Sequence, residues 1–263
     1  LFHFMKNSVI FKIMEINKRK LNLKRFLLKI FNFFIKIITI IRVNSDPEYP
    51  SQNYLLRKYK KKQRDKCLDY HKNNIEKSIL INKDLIREYS IKKALSLGLD
   101  DSKLFLEFGV FKGTSINFFS DFLKTDQIIY GFDAFYGLPE DWAGMGSAKG
   151  SMSLDGKLPK VKSNVKIIKG LIEDNLINFL STNKEEIFFV HIDTDLATTQ
   201  SFILKNIKDR LANGAILLFD DFYNIDSWHA IVQSLEKEFN QNEFEYLAFS
   251  VNSTEVCLRF IKS

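Results

Sequence analysis

The chain has 263 residues, 45% of them hydrophobic, and carries 39 Lys and Arg against 32 Asp and Glu, a formal charge of +7. That length buries one substantial core with room for one small subdomain, and its two cysteines, Cys67 and Cys257, exclude a disulfide scaffold and point to a reducing, cytoplasmic compartment. The charge is uneven: residues 1–100 hold 23 Lys and Arg against 9 Asp and Glu, and residues 101–263 hold 16 against 23, so a basic arm precedes an acidic domain and nucleic acid is excluded as its substrate.

The sequence opens on Leu1 rather than Met, so the true amino terminus is expected to be missing or differently placed. Residues 26–41, FLLKIFNFFIKIITII, are the most apolar stretch, interrupted by Lys29 and Lys36. The stretch is shorter than the ~20 residues of a spanning helix, and no small-residue cleavage pattern marks a signal peptide. Two main readings stay open. One is a helix packed on the body or on a second subunit, which would make a homo-oligomer. The other is an interfacial helix held to an anionic membrane by Lys18, Arg19, Lys20, Lys24 and Arg25, a peripheral contact through residues 18–41 at the inner face of the membrane. A true membrane span is a third. The segment SDPEYPSQN (45–53) holds two of the four prolines and reads as a linker. YLLRKYKKKQRDK (54–66) is a charged stretch with a solvated face, and 75–97 shows helical apolar spacing leading into Gly98. The organisation is therefore an arm and linker (1–53), a helical lead-in (54–100) and a domain (101–263).

From residue 101 the pattern becomes regular. Strands are predicted at 104–110, 127–133, 165–170, 187–195 and 214–222, with helices at 114–124, 173–182, 196–212 and about 227–239 between or after them. The last two apolar runs, EFEYLAFS and TEVCLRFI, have no helix between them and should pair as a hairpin. Alternating strands and helices closed by a hairpin predict an α/β fold: a Rossmann-like, doubly wound, mostly parallel seven-stranded sheet with a C-terminal antiparallel hairpin, preceded by the helical basic arm.

Acids gather where these strands end, the edge at which open α/β sheets bind ligands. IFFVHIDTD (187–195) delivers Asp193 and Asp195, and GAILLFDDF (214–222) delivers Asp220 and Asp221. Asp193, Asp220 and Asp221 would make an all-oxygen nest for a hard divalent cation. The first strand runs into EFGVFKGTS (107–115), where Gly109 and Gly113 permit a tight turn and close ligand approach. Glu107 lies inside that apolar strand, an expensive position without a partner; a ligand ammonium or an internal donor would satisfy it. Asp133 ends the second strand, where nucleotide-binding sheets present an acid to ribose, although a turn-forming role is also open. An amino-acid head and a ribose together describe S-adenosylmethionine better than a dinucleotide.

FLEFGVFKGTS, YGFDAFYGLPEDW, VHIDTDL and LLFDDF, in this order and spacing, resemble the TylF-type (macrocin O-methyltransferase-like) class I methyltransferases over about residues 101–262. The resemblance implies S-adenosylmethionine as methyl donor, a divalent metal such as Mg²⁺, and a sugar hydroxyl as acceptor. It places Asp193, Asp220 and Asp221 on the metal-binding aspartates and Asp195 on a proposed general base. Glu107, Gly109, Gly113, Ser115 and Asp133 fall on cofactor-binding positions, and Glu173 near the adenine. Residues 135–160 fall on a mobile lid, here with Leu138, Pro139 and Trp142. The chain departs from the family after the second aspartate, where DLATTQ places Ala197 and Gln200 in place of an aromatic residue and a threonine. Sugar specificity is therefore not carried over, and the acceptor is a glycan or other small hydroxylated molecule.

Blander roles compete at several positions. Asp195 opens a helix and could cap it near Thr198; Asp220 and Asp221 could cap a turn. His191 reads as a buried core residue, His229 as a surface helix position, and Trp142 either covers a ligand or pins its loop. Three other functions share the general pattern. A nicotinamide oxidoreductase lacks its Gly-x-Gly-x-x-Gly and Tyr-x-x-x-Lys signatures here. A non-catalytic binding protein would not need the intact acid set. A metal-dependent hydrolase leaves Glu107 and the glycine turn unexplained.

Overall fold

A computed structural model describes residues 27–37, 54–97, 103–142 and 146–262. The linker at 45–53, the basic residues from Lys18 to Arg25, and Gly98 lie outside the described residues. The chain divides into two compact units, residues 1–59 and 60–263. The first contains helix α1 (27–37) and the start of helix α2 (Tyr54–Lys77).

The second unit is built on one eight-stranded sheet. Its elements run β1 (Ile79–Ile81), α3 (Lys83–Leu95), β2 (Leu104–Phe108), α4 (Thr114–Ser120), β3 (Ile129–Asp133), β4 (Val165–Lys169), α5 (Ile172–Thr182), β5 (Ile187–Ile192), α6 (Ala197–Ile207), β6 (Leu211–Phe219), α7 (Trp228–Glu238), β7 (Phe244–Ser250) and β8 (Val256–Phe260). The strand order is β1-β7-β8-β6-β5-β2-β3-β4. Only β8 runs antiparallel to its neighbours, so the predicted C-terminal hairpin is present within an otherwise parallel sheet. The order reverses beside β2, where the chain leaves for β3 on one side and later returns as β5 on the other. Such a reversal opens a crevice at the strands' carboxyl ends.

One strand was not foreseen. Residues 75–97, predicted as one helical run, break after α2 into β1 before α3 begins. The run Ile79–Ile81 is only three residues long, too short to show a period. It forms because it pairs in parallel with β7 and so satisfies backbone groups at an open sheet edge.

Strand alternation divides the core between the two faces. Leu104, Leu106 and Phe108 of β2 pack with α5, α6 and α7, while Phe105 packs on the other side with Ile86 and Ile91 of α3 and Phe119 of α4. In β6 the same parity sends Leu217 and Phe219 to the first face and Ile216 and Leu218 to the second. Both cysteines are free and buried, behaving as small apolar residues.

Candidate functional site

A cavity of about 400 Å³ opens at the carboxyl ends of β2, β3 and β5, a volume suited to a cofactor-sized ligand. Its wall includes Gly109, Ser115, Asp133, Glu173, Asp193 and Asp195. Gly109 sits at φ +87°, and a Cβ there would fall 1.8 Å from the Asp193 carbonyl oxygen. The β2 and β5 exits can approach this closely only because the side chain is a hydrogen. Gly113, also at positive φ, precedes α4 with more room, the nearest atom to a Cβ being 3.3 Å away on Val161.

Asp133 builds this turn. Its carboxylate accepts the backbone N–H of Val110 (2.9 Å), Phe111 (2.7 Å) and Phe135 (2.7 Å). A carboxylate has about four acceptor positions, so the turn-forming role is real and one position is left for a ligand hydroxyl. Phe111 and Phe135 are held at positive φ beside it, as is Asp195. Non-glycine residues in that region are strained and concentrate at functional sites.

Glu107 is fully buried and does not line the cavity. Its carboxylate accepts from the Ser115 hydroxyl at 3.0 Å and faces His191 Nδ1 at 3.1 Å, the internal partners its position requires. The internal partners come from α4 and the neighbouring strand, in register through Glu107 and His191. His191 is the buried core residue expected of it, although its Nε2 has no hydrogen-bond partner. His229 is exposed on α7, and it is not among the cavity-lining residues.

The four aspartates stand near one another, the Asp220 charge reaching both Asp193 and Asp195, but they keep different partners. Asp193, Asp195 and Asp221 form one group with carboxylate oxygens within 4.8 Å of one another. Asp220 belongs to a different group. It accepts from Lys83 Nζ and the Arg87 guanidinium, both at 3.1 Å, and those cations also reach Glu255. β6 ends at Phe219 and the chain bends at residues 220 and 221, so the two carboxylates leave the strand end toward different partners. The helix-cap role for Asp195 is absent, since α6 is capped by Leu196 and no side-chain cap bond forms.

Electrostatics follow the same division. Burial and then the Asp220 charge raise the Asp193 carboxyl well above the ordinary range. Burial and the adjacent Asp221 push Asp195 up to about 7. Burial also pushes Asp220 upward, but the Glu255 hydrogen bond, His191 and Lys83 outweigh it and hold the carboxyl at about 2. Burial and the Asp220 hydrogen bond raise Glu255 to about 7. Three carboxylates crowded together, with no cation among the described residues bonded to them, are a donor set suited to a hard divalent ion.

The lid segment is folded against the site. Bridges pair Tyr136 with Ser153 and Trp142 with Ser147, and Leu138 N–H donates to the Ser151 carbonyl at 2.9 Å. Trp142 is buried with Leu138 against Leu196, and Glu140 accepts from Thr198 at 2.9 Å. Trp142 therefore pins the loop, while Gly137, Leu138, Pro139 and Met152 face the cavity. Residues 143–145 are outside the described residues.

Residues 106–222 match the family model described as a methyltransferase domain. The chain is similar to that domain over this stretch, which is less than half of its length. Its fold is shared with solved structures. CalS11, a calicheamicin methyltransferase, superposes with a TM-score of 0.57 at 16% identity, covering 80% of this chain and 94% of that one. An apo structure of CalS11, described as a TDP-rhamnose 3'-O-methyltransferase, gives 0.51 at 15% identity over 80% and 96% of the two chains. The O-methyltransferase NovP gives 0.51 at 16% identity over 68% and 79%. No curated protein sequence matches the chain.

The cavity uses residues that the motifs did not announce. Arg87 lines the cavity from α3, before the matched region, and Glu255 joins it from the start of β8, after that region. Their only sequence signal was the i, i+4 spacing of Lys83 and Arg87, which puts two cations on one helix face. Thr199 also lines the cavity and donates to Glu173 at 2.9 Å, tying α6 to α5. Gln200, one of the positions that departs from the TylF pattern, is buried and donates to the Ile231 carbonyl of α7 at 2.9 Å. It is a packing residue rather than an acceptor contact.

Proposed function

We propose that this chain is an S-adenosylmethionine-dependent O-methyltransferase, assisted by a divalent metal, that methylates a hydroxyl of a sugar or another small hydroxylated molecule. One observation carries the reading: the Asp193–Asp195–Asp221 cluster stands at the end of the cavity formed by the Gly109 turn, Asp133 and Glu173. A methyl donor and a hydroxyl held by oxygen-ligated metal would meet there. The relatives that share the fold include enzymes named as sugar and small-molecule methyltransferases, which supports the acceptor class.

In this reading the cavity takes the cofactor. Asp133 offers its remaining acceptor position to the ribose, Glu173 stands at the adenine end, and Gly109 and Ser115 border the amino-acid end. Glu107 acts indirectly, orienting Ser115 and His191 from below. Asp193, Asp195 and Asp221 are the residues that would hold Mg²⁺ or a similar ion, and when bound the ion would lower the pKa of an acceptor hydroxyl. Asp195 lines the cavity itself and is the side chain placed to take the acceptor's proton. Asp220 has a supporting role, tying α3 to the sheet edge. The lid keeps water from the methyl donor.

The test is equilibrium binding of labelled S-adenosylmethionine alongside Mg²⁺ titration. The wild type should bind both. Asp221→Asn should weaken Mg²⁺ by at least about tenfold, since one of three charged ligands is lost, while S-adenosylmethionine affinity stays within about twofold. Absence of cofactor binding by the wild type overturns methyl transfer. Unchanged Mg²⁺ affinity in Asp221→Asn overturns the metal site alone.

A further inference from the structure

We infer that α1 is an interfacial anchor that docks the chain on an anionic lipid surface. In α1 the polar residues Lys29, Asn32 and Lys36 recur at i, i+3 and i+7, which at 3.6 residues per turn places them in one narrow stripe. The rest of the helix circumference is apolar. Leu27, Leu28, Phe31, Phe33 and Phe34 are each more than half exposed. A broad aromatic and aliphatic face of this kind is costly in water and has no counterpart in a solvated helix.

Charge identifies the occupant. Residues 16–45 contain eight Lys and Arg and no Asp or Glu. Five of the eight, Lys18, Arg19, Lys20, Lys24 and Arg25, immediately precede the helix in sequence. A purely apolar partner would give no reason for that density, whereas a leaflet of anionic headgroups attracts each basic residue near its surface. The described part of this helix, eleven residues, reaches about 16 Å, half of a hydrocarbon core of about 30 Å. No described helix is long and apolar enough to cross a membrane. The stripe and the apolar face instead match a helix lying in the interface, with Phe31 and Phe34 inserted and Lys29 and Lys36 at headgroup level. This inference is independent of the methyl-transfer reading.

The experiment is sedimentation of the full chain with vesicles of phosphatidylcholine alone and of phosphatidylcholine mixed equally with phosphatidylglycerol. The chain should pellet with the mixed vesicles, remain largely in solution with the neutral ones, and be released by high salt. Phe31→Asp and Phe34→Asp should each lower partitioning by about tenfold or more. Lys29→Gln and Lys36→Gln should each lower it by about fivefold. A melting temperature equal to wild type shows that each variant keeps the folded domain. Equal binding to neutral and anionic vesicles, or unchanged binding in the phenylalanine variants, overturns the anchor. So does absence of vesicle binding together with a dimer, detected by analytical ultracentrifugation, that Phe31→Asp dissociates; the occupant would then be a second copy.

Discussion

At the scale of single residues, the site is decided by which way each side chain leaves its strand. Asp220 and Asp221 are adjacent in sequence and take different partners, the first Lys83 and Arg87, the second Asp193 and Asp195. Asp220→Asn should therefore be mainly a stability variant. It leaves Arg87 and Lys83 with a weaker partner and should lower unfolding free energy by about 1–3 kcal/mol, with Mg²⁺ affinity changed less than in Asp221→Asn. Chemical denaturation beside metal titration checks this; a larger loss of metal affinity than in Asp221→Asn would return Asp220 to the metal set. Gly109 offers a second residue-scale prediction. Alanine there meets both a left-handed backbone and the Asp193 carbonyl, so Gly109→Ala should cost at least about 2 kcal/mol. Cofactor binding should disappear with it, measured by the same labelled ligand.

At the scale of elements, the glycine turn and the acid-tipped strands were legible, and so was α3 as a helix, but its place at the cavity was not. The motif residues lie at the ends of long apolar runs, whose burial on both faces makes them recognisable as parallel strands. Arg87 lies in an ordinary amphipathic helix, and only the packing of α3 against Phe105 and Leu218 carries its guanidinium to the cavity. Glu107 shows the same limit in reverse: its need for a partner was legible, but Ser115 and His191 as partners required the register of β2 with β5. The lid is held by a small cluster of Leu138, Trp142 and Leu196. Trp142→Ala should release it, giving at least threefold faster limited proteolysis within 137–156 and little change in global melting, because local opening is separable from global unfolding. Equal cleavage rates in the two proteins would show that the ladder from Tyr136 to Ser153 holds the segment without the indole.

At the scale of the whole molecule, the part of α2 that belongs to the second unit carries a buried histidine in that unit's core. His71 is almost fully buried, its ring contacts Phe222, Trp228, Tyr246 and Phe249, and neither ring nitrogen has a hydrogen-bond partner. Burial alone lowers its pKa to about 4. The folded state thus excludes a proton that the unfolded state binds below about 6.5. Stability is fully present above about pH 6.5, falls as the pH drops, and has lost its share once the pH passes the folded value near 4. The share is of order 3 kcal/mol. Denaturant midpoints between pH 4 and pH 7 should show this acid limb in the wild type, and His71→Phe should flatten it. An undiminished slope in the variant would assign the limb to the carboxylates instead.

The sequence by itself determined the class of fold, the edge of the sheet at which the cavity opens and the residue types gathered there. Those properties are local: apolar runs set strands, acids after them mark their ends, and glycines mark turns. It also determined the basic, apolar character of α1, which depends only on spacing along one helix. The tertiary structure decided the groupings. It divided four aspartates into a cluster of three and a salt-bridged one, brought Arg87 and Glu255 to the site from opposite ends of the second unit, turned Asp133 into a brace for the glycine turn, and added β1 to the open edge. Each of these depends on the bend at a strand end, on register or on contact between residues far apart in sequence, which no local pattern encodes.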